Sequence, residues 1–440
     1  MKRILRILIV PLCVTLIVFV RATAQESMLQ PGSQQLMDGG FGATLIDGQT
    51  YYLFNLMPEF SFGKLGLGLD LNIRVNSQTG KIRSEDYQNF NDYLRVIRYV
   101  RWGVKQDPVY VRAGVLDYAQ LGHGFIMYNY ENSASYDLRK WGLEFDMDMN
   151  QFGFETIYSD LAGRGILGGR AYVRPLRFTD AGAIPVIGGF EVGWTYAADL
   201  NADASKTLDP TTGAIVDGGA MRIMGFDVGL PLLSLSAVHS TLYYDYAKII
   251  NYGRGSAVGI DFHFAGMGLF TLGAKYERRF LKDQFLPSYF DALYEHDRYI
   301  PTGTNTFVSK AEELQAAKAA EGYYGELTLG VLGAFNVLGG YYAPLGVQDA
   351  GTLHLVLQTP TSLPLFIVSG GYDKKDIGSV FKVDNNSLLY AQVGYKLNSF
   401  LLLSTLYQWT FTEVKDANGN VIGYATQRRV EPKLSVVFNF

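Results

Sequence analysis

The chain has 440 residues, a formal net charge of −4 and a single cysteine, with 30 Tyr, 27 Phe and 49 Gly beside only 18% charged residues. Without a basic surplus nothing neutralises a phosphate backbone, which excludes nucleic acid as a partner. The balance is that of a sheet protein with a large apolar face and many tight turns, and no propeller-type repeat of roughly 40–50 residues is present.

The N-terminus has the form of an export signal. Lys2, Arg3 and Arg6 precede an apolar run from Ile7 to Val20, and Ala22-Thr23-Ala24 offers a cleavage site before Gln25. That run is shorter than the about 20 residues a spanning helix needs. No later stretch reaches about 18 consecutive apolar residues, so no transmembrane helix is expected. Cys13 lies inside the leader and lacks the small residues that precede a lipidated cysteine. A chain cleaved after Ala24 carries no thiol, which removes disulfides, Cys-ligated metals and Cys nucleophiles. It also loses four basic residues, leaving a net charge of about −8.

Residues 25–39 are polar and read as a short periplasmic lead-in, with residues 40–440 forming one domain. A first short strand is expected near Phe41–Ile46. Tyr52, Phe54, Leu56, Pro58, Phe60 and Phe62 then share one face of a strand, with Asn55, Glu59 and Ser61 on the other. Past a turn at Gly63-Lys64, Leu67 to Val75 alternates in the same way, giving the clearest hairpin. Similar pairs follow at 95–104 with 109–116, 138–148 with 151–159, 166–176 with 186–197 and 220–230 with 233–246. Others lie at 256–264 with 269–278, 323–332 with 335–343, 353–358 with 365–372 and 389–397 with 401–412.

The last stretch, Gln427 to Phe440, is the most regular. Val430, Pro432, Leu434, Val436 and Phe438 alternate with Glu431, Lys433, Ser435, Val437 and Asn439. An amphipathic last strand ending on Phe440, behind an export signal, resembles the Gram-negative outer-membrane β-barrels. That resemblance implies an outer-membrane location amid lipid and lipopolysaccharide, and recognition of the Phe440 end by the barrel-assembly machinery. Short turns alternate with long polar loops (76–92, 118–136, 198–219, 280–321, 373–387, 413–425), the rhythm of periplasmic turns and external loops. The expected fold is all-β, a single transmembrane antiparallel barrel of about 16–20 strands, with 18 or 20 preferred because both ends belong on one side. By alternation the lumen receives the charges. Arg98 and Arg222 break the pattern and are expected at strand ends or bulges.

One internal stretch, Tyr110 to Tyr130, carries a further resemblance. Arg112 in an R-x-G strand leads to Asp117 and then to Gly122-His123-Gly124 and an aromatic run. It is similar to porin and alginate-export-type barrels, in which a loop at this place folds inward and narrows the pore. The resemblance implies that Asp117, His123, Tyr128 and Tyr130 face a constriction; the residues alone also allow an external loop capped by its aromatics. Arg95, Arg101, Arg112, Arg170 and Arg174 form a candidate basic ladder beside Glu144, Asp146, Asp148, Glu155 and Glu191. Facing rows of opposite charge orient polar solutes, whereas cross-strand neighbours that pair off serve only to keep the lumen polar.

The longest loop, 280–321, contains a capping-box signature at Ser309 to Glu312 and so a short helix, expected to lid or prop the outer mouth. Asp291, Glu295, His296 and Asp297 have metal-ligand residue types but read as a solvated loop cluster. His239 and Ser240 are adjacent on a strand and point opposite ways, so they form no catalytic pair, and His263 and His354 stand as isolated inward histidines. No cofactor, metal or catalysis is expected. The function expected is a porin-like channel for passive diffusion of small polar or ionic solutes. Its rivals are a substrate-specific or hydrophobic-compound transporter with a plugged lumen, and a sealed structural, secretion or surface-binding barrel. A homotrimer is an expectation from the porin resemblance alone.

Overall fold

The computed structural model describes residues 36–440 except 47–48, 88–92, 106, 134–139, 209–210, 212–214, 217, 236, 267–268, 304–305, 332–333, 360–362, 364, 378–382, 384–386, 399, 416–420 and 440. The leader, Cys13, residues 25–35 of the lead-in and Phe440 lie outside the described residues.

Twenty strands form one antiparallel sheet that closes on itself. They are β1 (Leu36–Ile46), β2 (Gln49–Phe62), β3 (Leu65–Leu69 continued by Leu71–Asn76), β4 (Ile97–Trp102), β5 (Val109–Gly114), β6 (Gly142–Asp148) and β7 (Phe152–Tyr158). Next come β8 (Ile166–Val173), β9 (Glu191–Asp199), β10 (Met221–Leu235), β11 (Val238–Ile249), β12 (Arg254–Gly266) and β13 (Phe270–Leu281). The last are β14 (Ala320–Val331), β15 (Phe335–Pro344), β16 (Thr352–Gln358), β17 (Phe366–Lys374), β18 (Ser387–Lys396), β19 (Leu401–Lys415) and β20 (Val421–Asn439). Each pairs with its sequence neighbours, and β1 pairs with β20 from Leu36 opposite Asn439 to Ile46 opposite Arg429. Closure leaves no open sheet edge, the condition for a sheet to sit in lipid. The first strand starts at Leu36, earlier than the apolar pattern indicates, because its Gly39-Gly40 segment pairs through backbone alone.

The sheet is inside-out relative to a soluble β-protein. On β10, Phe226 is 44% exposed on the outer face while the next residue, Asp227, is 5% exposed on the inner one. On β20, Gln427, Arg429, Glu431 and Ser435 are buried inward and Val430 and Leu434 are exposed outward. Phe62, Trp102, Phe152, Phe270 and Tyr395 mark the outer face near the short-turn end, and Tyr52, Phe280, Tyr323 and Tyr341 mark it near the other. Two aromatic girdles flanking an apolar band are the signature of a barrel in a bilayer.

Both pattern breakers have local causes. Arg98 is the extra residue of a bulge, since Gly68 pairs with Tyr99 and Leu69 with Ile97, and its guanidinium reaches Glu59. Arg222 is exposed one residue into β10. Asp70 interrupts β3 by sending its N–H to Val96 O at 2.7 Å, while its carboxylate accepts from Asn55 and Asn72.

The alternation of short and long connections is broken at both ends, for at the long-loop end β11 and β12 are joined by residues 250–253 alone. Residues 174–190, between β8 and β9 at the short-turn end, wind through three single 3-10 turns (Pro175–Phe178, Asp180–Ala183, Ile187–Gly189). Pro175 and Pro185 withhold the N–H groups a longer ladder needs, so β8 and β9 stop at Val173 and Glu191.

Candidate functional site

Two connections from the long-loop end fold back into the cylinder. In the first, Ala119 and Tyr130 exchange backbone hydrogen bonds at 2.9 and 3.0 Å, and Leu121 N donates to Met127 O at 3.3 Å. The second runs alongside: Tyr128 N donates to Phe290 O at 3.1 Å, and Phe290 N to Ile126 O at 3.2 Å. Leu116, Leu121, Phe125, Met127, Phe285, Phe290 and Tyr294 are buried together against inward Ile157, Ala197, Met221, Ile223, Ala247 and Ile249. The upper lumen therefore holds a packed apolar core inside a ring that is otherwise polar.

The neck of the first segment is fixed by Asn132. Its carbonyl oxygen accepts from Leu116 N at 3.1 Å, and its amide donates to Lys140 O and Ser159 O, both at 3.1 Å. The two segments are tied by Glu295, which accepts from Tyr130 Oη at 2.5 Å and Lys140 Nζ at 2.6 Å. Burial works against its charge, but Arg298 and Lys140 outweigh that and lower the Glu295 pKa. Helix α1 (Tyr294–Asp297) ends the inward run of the second segment, and a hairpin over Tyr299–Gly303 and Thr306–Ser309 then reaches across to β20. Helix α2 (Lys310–Ala316) follows, with the complete capping box read from the sequence: Glu312 N donates to Ser309 Oγ at 3.2 Å, and Ser309 N to Glu312 Oε2 at 3.4 Å.

The tip, Gly122 to Tyr128, is held by the wall. Gly122 N donates to Glu155 Oε2 at 2.7 Å. Gly122 has φ +54°, and a Cβ there would sit 2.9 Å from Arg170 Nε, so only glycine suits the position. His123 stacks on Tyr243 at 4.1 Å and places Nδ1 2.9 Å from Asp245 Oδ1. Burial opposes the imidazolium, yet the Asp245 charge and hydrogen bond prevail and raise the His123 pKa. Lys275 Nζ donates to His123 O at 2.5 Å and lies 4.6 Å from the Tyr128 ring centre. Tyr128 Oη donates to Glu326. Since Asp227, Asp245, Lys275 and Glu326 sit within the spans of their strands rather than at the rims, the tip hangs inside the barrel.

No protein-family model matches the chain, and no curated protein does. Among solved structures it is similar to the Pseudomonas aeruginosa protein OccK9 (OpdG), at 10% identity over 92% of this chain and 98% of that one, with a TM-score of 0.35. It is also similar to Pseudomonas aeruginosa OccK2 (OpdF), crystallised with glucuronate (9%, 94% and 99%, 0.34), and to the siderophore receptor PirA from Acinetobacter baumannii (8%, 93% and 81%, 0.36). At scores this low nothing about solute or mechanism follows, and the architecture rests on the strand register of this chain.

The wall charges pair locally. Arg170 on β8 holds Asp227 through Nε at 3.0 Å and Nη2 at 2.6 Å, Glu155 at 3.0 Å and Glu191 at 2.6 Å. Arg174 grips Asp148 at 2.9 Å through both terminal nitrogens and reaches Glu191 at 2.9 Å. Arg112 bonds Asp117 at 3.1 Å and Val115 O at 2.9 Å, which turns the chain inward after β5. Glu144 and Asp146 are met by Lys105 from the 103–108 turn, at 3.2 and 3.1 Å. Arg101 bonds Gly103 O at 2.7 Å beside that turn, and Arg95 lies before β4 rather than on it. So Glu155, Arg170, Arg174 and Glu191 come together, His123 and Tyr128 meet the wall, Tyr130 meets Glu295 of the second inward segment, and Arg95 and Arg101 lie outside that charge cluster.

Two expectations change. Asp291, Glu295, His296 and Asp297 are not a solvated cluster: Glu295, His296 and Asp297 are buried, because this loop enters the barrel. Their carboxylates are ion-paired to Lys140, Lys310 and Lys375, and His296 Nδ1 lies 2.8 Å from Asp297 Oδ1. His354 is not isolated either, with Nδ1 2.5 Å from Asp373 Oδ1. Asp245, Lys105 and Asn132 were absent from the candidate set. Asp245 shares inward parity with Tyr243, a signal the sequence holds; Asn132 carries none.

Proposed function

We propose that this chain is a selective channel of the Gram-negative outer membrane, passing small polar solutes down their gradient through a lumen narrowed by its own inward loops. The carrying observation is the attachment of Gly122 to Tyr128 to inward wall groups well below the rim. A twenty-strand cylinder left empty would be wide enough for an aqueous channel. Here a buried apolar core and matched ion pairs lie inside the cylinder, which favours the plugged, substrate-selective reading over a general diffusion pore. The side chains lining the remaining path, with Arg170, Arg174, Glu155 and Glu191 prominent, set its filter. No step of bond chemistry is part of this reading.

Lipid and lipopolysaccharide surround the apolar band, and the assembly machinery takes the chain through its Phe440 end after export and cleavage behind Ala24. Trimerisation belongs to the same proposal. The hairpin that crosses to β20 supports a second reading, a sealed barrel.

Liposome swelling with the purified protein separates these. A selective channel gives rates that fall steeply with solute size and saturate for a preferred solute. Fast, unsaturable entry of large solutes would overturn selectivity, and no entry of any solute would favour the sealed barrel.

A further inference from the structure

A cavity lies between the 282–298 segment, α2 and the inward faces of β13 to β17. Four tyrosines, Tyr128, Tyr289, Tyr324 and Tyr342, contribute to its wall.

The lining carries four cations, Arg279, Lys310, Lys374 and Lys375, and four acids, Asp291, Glu313, Asp373 and Asp376. Arg279 bonds Glu277 at 2.7 Å, Lys310 pairs with Asp291 at 3.1 Å, Lys375 with Asp291 at 2.9 Å, and His354 with Asp373 at 2.5 Å. A charged solute would enter against one half of each pair. Hydroxyl-type hydrogen bonding, by contrast, is left over. Tyr289 Oη, Tyr342 Oη and His354 Nε2 are buried without a hydrogen-bond partner among the described residues, and all three residues line this cavity. Tyr289 is 1% and Tyr342 7% exposed. Buried polar groups normally find partners, and a cluster of orphans around one cavity marks the place where a ligand supplies them. Tyrosine offers such a ligand an apolar ring face and a polar tip at once.

We propose that the cavity binds a small neutral polyhydroxylated solute of the sugar class. Ring faces cover its C–H surfaces, and the two phenols and the imidazole meet its hydroxyls. The inference rests on the selective-channel reading, for which it names the solute class.

The test is calorimetric titration of the full protein in detergent micelles with glucose, maltose and sodium gluconate. Saturable binding of at least one neutral sugar is expected. Tyr289→Phe and Tyr342→Phe, which remove only a hydroxyl, are each expected to weaken it roughly tenfold, about 1.4 kcal/mol. Tyr99→Phe removes an equally orphaned hydroxyl outside the cavity and is expected to change nothing. No saturable binding of either sugar, indifference to both cavity variants, or tighter binding of gluconate overturns the proposal. Sugar permeation without such binding sinks the site and spares the channel. Binding without permeation does the reverse.

Discussion

Arg170 is the residue on which most of the wall's charge converges. Its guanidinium faces Asp227, Glu155 and Glu191, and Glu155 in turn holds Gly122 of the inward tip. Removing one member of a buried ionic cluster strands the others. Arg170→Met is therefore expected to lower stability by about 3–5 kcal/mol, read as a shift of the urea midpoint in micelles. Arg170→Lys keeps the charge, loses the two-pronged grip on Asp227 and falls between the two. A midpoint for Arg170→Met within error of wild type would contradict this account of the cluster. Alternation makes the inward direction of Arg170, Asp227 and Glu191 readable from sequence. Their partnership is not, since it depends on cross-strand register, and His123 meets Asp245 across 122 residues of chain.

At the scale of elements, the inward segment 115–133 has a built-in pH dependence. The imidazole of His123 faces Asp245, Asp227 and Arg170, with the Lys275 ammonium on its carbonyl, and its pKa is raised in the folded state. A raised pKa means the pair's contribution is complete below the unfolded value of about 6.5 and is lost as pH climbs through the higher folded value. Proteolysis within 118–130 of the reconstituted protein is thus expected to quicken on going from acid to alkaline pH. His123→Gln should flatten that profile. Cleavage that instead quickens toward acid would contradict the assignment. The strands and the Ser309 capping box are legible because period two and a local capping pair are encoded within a few residues. The inward fold of 282–298 is not, because its Phe and Tyr side chains look alike whether they cap a loop outside or pack on Met127 and Leu116 inside. Gly122 and Gly124 around His123 were the visible clue to the first segment, whereas nothing comparable announces the second.

For the whole molecule, orientation follows from one inversion, with Phe226 outward and Asp227 inward, repeated around a closed ring. An arginine on the outer face near mid-strand costs about 2–4 kcal/mol in a barrel. Phe226→Arg is expected to show that loss in folding into lipid vesicles, while Glu191→Arg, at the inner end of β9, acts on selectivity. Equal tolerance of arginine at positions 226 and 222 would contradict the placement of the bilayer. The strand number came to twenty because closure brings β1 beside β20, a long-range pairing that sequence parity narrows without fixing. The Asp70 break counts as one span for the same reason, since both halves of β3 pair with β2.

The most direct measurement is single-channel conductance in planar bilayers of the wild-type chain beside a variant with residues 118–130 replaced by a short Gly-Ser link, both checked for heat-modifiable folding. A lumen narrowed by its own inward loops predicts a small wild-type conductance that rises several-fold in the variant and loses its discrimination between solutes. Equal conductance in the two folded proteins would mean that the solute path runs elsewhere, and would contradict the account.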